Sequence, residues 1–326
     1  MNKITKKIIF LFALLVVFIF FPLLVDSESF LLYLATYFLF FAVLGAGLNL
    51  IMLTGHLSLG HAAFMGIGAY VCVLLMMKCG WNFWPSWAVA GVVSGLFALI
   101  IGWMTLRIRG VYFAILTFAF GEVVRMIFVN VPAFGGMDGI MGISSPSPIG
   151  IPGLFQISFE EKTAFYYLVF IFSLLCFTIY YRIKESPIGK VLKSIEEGEL
   201  LAESCGINTM RYKLVMFVLA SVWAGMVGGL FACFFTYISP GSFTFVESVD
   251  LILVNVIGGV ASFSGPLVGA LFLVGIPEIL RGMKEFQMII YALAIILVLY
   301  FLPEGIGGFI ESKMGKNRGN APRETD

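Results

Sequence analysis

The chain has 326 residues, 60% hydrophobic and only 12% charged, with a mean hydropathy of +1.02 and a formal net charge of +1. A soluble protein of this length needs about a quarter of its residues charged to cover its surface, so a soluble reading is excluded. The 20 basic and 19 acidic side chains are nearly balanced, which gives no basis for nucleic-acid binding, and no basic recognition helix is present.

A helix needs roughly 20 apolar residues to cross a bilayer. Apolar runs of about that length fall near 8–25, 31–53, 59–77, 86–106, 111–131, 164–181, 213–236, 248–262, 265–280 and 287–302. The expected fold is therefore an all-α polytopic membrane protein with about ten transmembrane helices, eight being the alternative count. The 34 Phe and 36 Gly suit helices that face lipid and pack through small residues. The first run follows Lys3, Lys6 and Lys7, is too long for a signal-peptide core and lacks an A-x-A site, so it reads as a retained span. The eighth and ninth runs are short and are interrupted by Gly258, Gly259, Gly265 and Pro266. With ten spans and an inner N-terminus, 15 of the 20 basic residues fall in inner segments and four in outer ones, with Arg125 inside a span. That bias follows the positive-inside rule and places both termini in the cytoplasm.

Between spans, two segments stand out. The outer loop at 132–163 carries Gly135, Gly136, Gly139, Gly142, Gly150 and Gly153 beside Pro132, Pro146, Pro148 and Pro152, a composition that avoids regular structure. It reads either as a connector across the outer surface or as a lid or partner-docking element. The inner loop at 182–213 predicts a short helix. Ser186 suits its N-cap and Pro187 its first position. Ile188, Val191, Leu192 and Ile195 then recur on one face, with Lys190, Lys193, Glu196 and Glu197 off it. Gly198 breaks this helix and Gly206 caps a second short turn that includes Glu199 and Glu203. The stripe either rests on the inner leaflet or enters the groove of a soluble protein.

Polar residues inside the spans bound the chemistry. Glu122 and Arg125 are three apart on one helical face, as a mutual ion pair that fixes packing or as lining of a path. The stretch from Asn49 to Ala69 is broken at Thr54 and Gly55 and continues through Ser58, Gly60 and His61. A second Gly-rich interruption, VIGGVASFSGPLVGA at 256–270, follows Asn255. A break in each half is the pattern of a permease built from repeats, and the N–H groups of a restarting helix attract anions. The alternative is close helix packing through Gly and Ala. His61 reads as a hydrogen-bonded interior group, since no second metal ligand is near it in sequence. The five Cys are scattered without C-x-x-C spacing, and no Walker A, G-x-S-x-G or H-E-x-x-H sequence occurs. No catalytic or metal site is expected, and no cofactor bound by this chain.

Seven segments carry a resemblance to a known family: TGHLSLGHAAFMGIGAY (54–70), RIRGVYFAILTFAFGEVVR (107–125), FGGMDGIMGI (134–143), AESCGINTMRYKL (202–214), AGMVGGLFACFFTYISPGSFTF (224–245), VIGGVASFSGPLVGA (256–270) and PEILR (277–281). In this order they closely resemble the LivM-type permease subunit of bacterial branched-chain amino-acid ABC importers, over residues 40 to 308. The resemblance implies one permease domain over 1–312 with inverted-repeat character, a cytoplasmic polar tail at 313–326, and residence in the bacterial inner membrane. It also implies a second homologous permease, two cytoplasmic ATPase subunits holding ATP-Mg, and an external periplasmic or lipid-anchored binding protein that confers most selectivity. Leucine, isoleucine and valine are the expected solutes, with urea, amides or other amino acids as the alternative. The family's E-A-A signature, followed after three residues by Gly, is degenerate here. Leu200, Leu201 and Ala202 stand at its places before Gly206, with Glu199 one residue early. The resemblance assigns ATPase coupling to the 186–206 segment. A stand-alone secondary transporter is the competing class, drawing on Glu122, Arg125 and the broken helices.

Overall fold

The computed structural model describes residues 18, 20–22, 30–151, 155–302 and 304–309. The first apolar run, apart from its residues 18 and 20–22, and the polar tail therefore lie outside the described residues. Ten α-helices follow in chain order: α1 (Phe30–Met52), α2 (His61–Cys79), α3 (Phe83–Thr105), α4 (Val111–Asn130), α5 (Lys162–Glu185), α6 (Pro187–Ser204), α7 (Thr209–Phe235), α8 (Phe245–Gly258), α9 (Gly265–Ile279) and α10 (Gln287–Phe301). Among the described residues, eight helices are long and apolar enough to cross a membrane. They are the second to ninth of the ten apolar runs. α8 and α9 reach that length together with adjoining 3-10 helical residues, over Pro240–Gly258 and Gly265–Met283, whereas the tenth run forms α10, a shorter apolar helix of 15 residues.

Helix-to-helix connections alternate between two ends of the bundle. At the basic end Arg109, after α3, pairs with Glu199 of α6, and the Lys184 ammonium of α5 donates to the Val260 and Ser262 carbonyls between α8 and α9. At the opposite end Ile140–Met141 (β1) pairs antiparallel with Tyr237–Ile238 (β4). The Lys78 ammonium at the end of α2 donates to the Ala133 carbonyl there.

The loop at 132–163 is more ordered than its Gly and Pro content predicts. It holds two 3-10 turns (Pro132–Phe134 and Gly136–Asp138), β1, and a hairpin of Ile149–Ile151 (β2) with Phe155–Ile157 (β3). Glycine permits this order rather than preventing it. Gly139 has φ +73°, and a Cβ there would collide with the Ile238 carbonyl. The Trp84 indole N–H also donates to the Ser147 carbonyl, tying the loop across α3.

The core centres on α2, α3 and α7. Between apolar helices in lipid the hydrophobic effect gives little preference, so close backbone approach through small residues supplies the packing. Gly68 of α2 lies directly on the Gly225 backbone of α7, Gly228 of α7 lies on the Met65 carbonyl of α2, and a Cβ at any of the three would collide. The Ser94 hydroxyl of α3 donates to the Phe64 carbonyl and the Trp87 indole N–H to the Met226 carbonyl, so polar groups cross these interfaces only with partners.

The α8 boundary differs from the sequence expectation. The run at 248–262 is realised as a helix from Phe245 to Gly258, and the chain turns before re-entering at Gly265. Gly259 there adopts φ +93° and packs against the Glu304 carbonyl.

Candidate functional site

Three polar groupings are built into the bundle. The first lies at the basic end, where the expected helix of the 186–206 segment forms as α6. The Ser186 hydroxyl accepts from the Ile188 N–H at 3.1 Å, Pro187 takes the first position, Gly198 interrupts the helix and Gly206 ends it with φ +84°. Its apolar stripe, however, is not offered outward. Leu192 and Ile195 are buried within this chain and Val191 is half-buried, so most of that face is satisfied by the bundle. The exposed side carries Ile188, Lys190, Lys193, Glu196 and Glu197, and beyond the Gly198 kink Leu200 and Leu201 are 70% and 74% exposed. Sequence periodicity identifies the face that packs but not what it packs against.

Glu199 anchors the second half of α6. Its carboxylate accepts from the Lys213 ammonium at the start of α7, from the Thr209 hydroxyl at 3.1 Å and from Arg109 at 2.7 Å. The Thr209 hydroxyl, with a single proton shared between the two acids, also stands 2.7 Å from the Glu203 carboxylate and closes the cluster. Burial opposes ionisation of Glu199, but Lys213, Thr209 and Arg109 together outweigh it and hold the carboxyl below its ordinary value. A depressed carboxyl stabilises the fold above its unfolded value, and the contribution is lost as the pH falls through the lowered native value. The latch is therefore intact throughout the neutral range. Lys213, read from the sequence only as an inner basic residue, is its buried centre. A lysine at the boundary of an apolar run, 14 residues after a glutamate, was the available signal.

The second grouping joins the two breaks. The Asn49 amide donates to the Asn255 side-chain oxygen at 2.9 Å and to the Val260 carbonyl at 3.1 Å, and the Tyr180 hydroxyl donates to the Asn49 oxygen at 2.7 Å. The Asn255 amide in turn donates to the Gly45 and Leu251 carbonyls, each at 3.0 Å. Asn49 and Asn255 thus bind each other across α1 and α8, and both side chains are fully engaged. Asn49→Leu and Asn255→Leu should each cost about 1–2 kcal/mol, and the double variant less than their sum by about 0.6 kcal/mol or more. Thermal unfolding of the two single variants and the double variant in detergent checks this, and strict additivity would contradict the direct bond.

The linker between α1 and α2 is largely buried, with Gly55 and Leu57 exposed, and it differs from expectation in its polar partners. Ser58 and His61 are both fully buried, and neither the Ser58 hydroxyl nor either His61 ring nitrogen has a hydrogen-bond partner among the described residues. His61 is thus interior without being hydrogen-bonded to the chain. Two of the N–H groups at the break are already taken by side chains. Ala62 N–H donates to the Ser248 hydroxyl and Leu59 N–H to the Thr117 hydroxyl, both at 3.0 Å, because α4 and α8 press these hydroxyls against the break. No anion site remains at these two amides. The linker also meets α6, since a Cβ at Gly55 would stand 3.7 Å from the Glu196 Cα.

The third grouping is the pair on α4. The Arg125 guanidinium contacts one Glu122 carboxylate oxygen through two nitrogens, each at 2.8 Å, with the side chains 26% and 30% exposed. Among the described residues no group of three or more His, Cys, Asp or Glu could hold a metal ion. Two further carboxylates escape the sequence reading. Glu247 and Asp250 lie on α8 with no hydrogen bond or ion pair to any described residue. Starting the eighth span at 248 hid Glu247 in a loop, although VESVD within an apolar run was the signal.

Comparison with known proteins adds the family. The model described as "Branched-chain amino acid transport system / permease component" matches residues 30–300. The chain belongs to this family. It is 31% identical to the high-affinity branched-chain amino acid transport system permease protein LivM of Salmonella typhimurium (strain LT2), over 98% of the chain and 79% of that relative. It is 26% identical to the permease protein LivH of the Escherichia coli K12 system, over 82% of the chain and 91% of LivH. The guanosine ABC transporter permease protein NupQ of Bacillus subtilis (strain 168) is 24% identical over 55% of the chain and 59% of NupQ. No solved structure matches. The protein is therefore a LivM-type, multi-pass membrane permease.

Proposed function

We propose that this chain is one membrane subunit of an ATP-driven importer that carries leucine, isoleucine and valine into the cytoplasm, with its basic end inside. Residues 1–312 act as one permease domain and make no catalytic contribution. Two ATPase subunits dock from the cytoplasm, and an external binding protein delivers the solute. The seating of α6 carries the reading. The helix is bolted through Glu199 to α7 and to the α3–α4 turn and lies against the α1–α2 linker, so a push on its exposed side reaches five spans. LivM and LivH relatives, whose printed names assign them to branched-chain amino acid transport, support the solute; NupQ marks the family's breadth.

A second permease subunit covers α4 in this account. A charged pair about a quarter to a third exposed along a span would face hydrocarbon unless protein or water lay over it. Because the two charges neutralise each other, they position the interface rather than couple ions.

The test is co-purification and ATP hydrolysis. The tagged chain should bring down a second permease and Walker-A-bearing subunits in mild detergent. Leu200→Glu with Leu201→Glu should leave the chain folded but reduce solute-stimulated hydrolysis at least about tenfold, the scale of losing a few buried apolar contacts. Unchanged stimulation in this variant would remove α6 from the coupling. A second reading, an ion-coupled transporter working alone, draws on the unpaired Glu247 and Asp250 carboxylates.

A further inference from the structure

A cavity of about 360 Å³ opens among α1, α2, α7 and α8, within the range of small-molecule sites. Its wall is aromatic, built from Tyr33, Tyr37, Phe231 and Phe235, and the one charged side chain that lines it is Glu247. The rings brace one another: Phe235 meets Tyr33 edge-on at 5.8 Å and Tyr37 edge-on at 6.1 Å, and Phe231 lies 4.3 Å from Phe235. Along α1 the lining runs from Tyr33 to Leu44, a descent of about 16 Å at 1.5 Å per residue. The cavity therefore reaches from the end opposite the basic one deep into the bundle.

Its chemistry is one-sided. A carboxylate inside a span is costly unless it meets water or a counter-charge, and Glu247 has no cation among the described residues. Asp250, one helical turn on, adds a second carboxyl group and no compensating cation. Aromatic faces also attract cations, and more strongly where water is excluded. Leu44, Met65 and Leu251 add apolar lining, and Tyr237 and Ser242 add hydroxyls.

We propose that this cavity binds a primary ammonium group attached to a compact apolar body, with Glu247 holding the ammonium and Tyr37 and its neighbours the apolar part. A zwitterionic apolar amino acid fits this class, its carboxylate directed toward the Ser242 and Tyr237 hydroxyls, which also line the cavity. The site rests on the import reading for the supposition that a solute enters at this end. It adds a station inside one permease subunit, apart from any passage between two subunits.

The test uses the chain with its co-purified subunits in lipid nanodiscs, without the external binding protein. Radiolabelled 3-methylbutylamine is the probe. Saturable binding is expected, displaced by leucine but not by 4-methylpentanoate, which lacks the ammonium, and not by sodium ions. Glu247→Gln should weaken it about tenfold or more, the scale of one charge-assisted contact. Tyr37→Leu should weaken it about three- to fivefold, with Glu160→Gln, at an exposed carboxylate of the outer loop, binding as the unaltered protein does. Monodisperse elution with the partner subunits shows that each variant is folded. No saturable binding, equal affinity in Glu247→Gln, or loss in Glu160→Gln instead would overturn the proposal, and displacement by sodium alone would reassign Glu247 to a simple cation. Leucine uptake by the complete importer reads the transport proposal separately. Its absence alongside intact amine binding would sink the solute assignment and leave the cavity standing.

Discussion

Glu199→Leu should destabilise the protein by about 3–5 kcal/mol and abolish solute-stimulated ATP hydrolysis in the assembled importer. The cause is the ammonium it strands. The Lys213 side chain is 1% exposed and Glu199 14% exposed, and removing one member of a buried pair leaves the other charge desolvated without compensation. Glu203 is already engaged by Thr209 and does not replace the lost partner. Lys213→Met should cost less, because Glu199 keeps Arg109 at 2.7 Å and Thr209 at 3.1 Å. The double variant, Glu199→Leu with Lys213→Met, should recover most of the stability lost in Glu199→Leu, since an apolar pair of similar shape avoids the charge burial altogether. Thermal unfolding in detergent reads the three values. Recovered stability without recovered stimulation would show that the latch transmits motion as well as holding α6. Equal losses in both single variants would mean that Arg109 and Thr209 do not sustain Glu199 once Lys213 is gone.

Gly68→Val should cost about 3 kcal/mol or more and sharply lower the yield of folded protein. No flexible side chain stands in the way to yield: the added Cβ would strike the Gly225 backbone, so α2 and α7 must separate. Overpacking of a dense interface costs about 1–3 kcal/mol when side chains can shift and more when backbone must. Gly275→Ala is the matched comparison. Gly275 is helical, within α9, and a Cβ there meets nothing within 4 Å. It should be neutral or stabilising by up to about 1 kcal/mol, the helix propensity difference. Similar behaviour of the two variants, by melting temperature and monodisperse yield, would contradict the close α2–α7 contact.

Much of the architecture was legible because apolar run length and span length are the same physical quantity. Eight of the ten runs reappear as helices that meet the span criterion, and the Ser186, Pro187, Gly198 and Gly206 signals place the ends and the kink of α6. Local backbone preferences act within a few residues, so sequence exposes them. What failed was the identity of partners. The Ile195 stripe faces its own bundle, the amides at the α2 start are occupied by Ser248 and Thr117, and His61 lacks the bond expected of it. Each outcome depends on a residue tens to nearly two hundred positions away, which no local pattern encodes. Asn49 and Asn255 illustrate the boundary. Each marks a break in its own half by sequence, but that they bond to each other across 206 positions is visible only in the fold. Glu247 was missed for a simpler reason, since an acidic residue at the edge of an apolar run is ordinarily assigned to water.

The central claim is that this permease moves solute only when partner subunits hydrolyse ATP. Uptake into proteoliposomes measures that directly, comparing the chain alone with the chain plus its second permease, ATPase subunits and binding protein. The account predicts leucine accumulation only in the complete system with ATP inside the compartment that holds the basic end, and none from the chain alone under proton or sodium gradients. Gradient-driven uptake by the chain alone would contradict it.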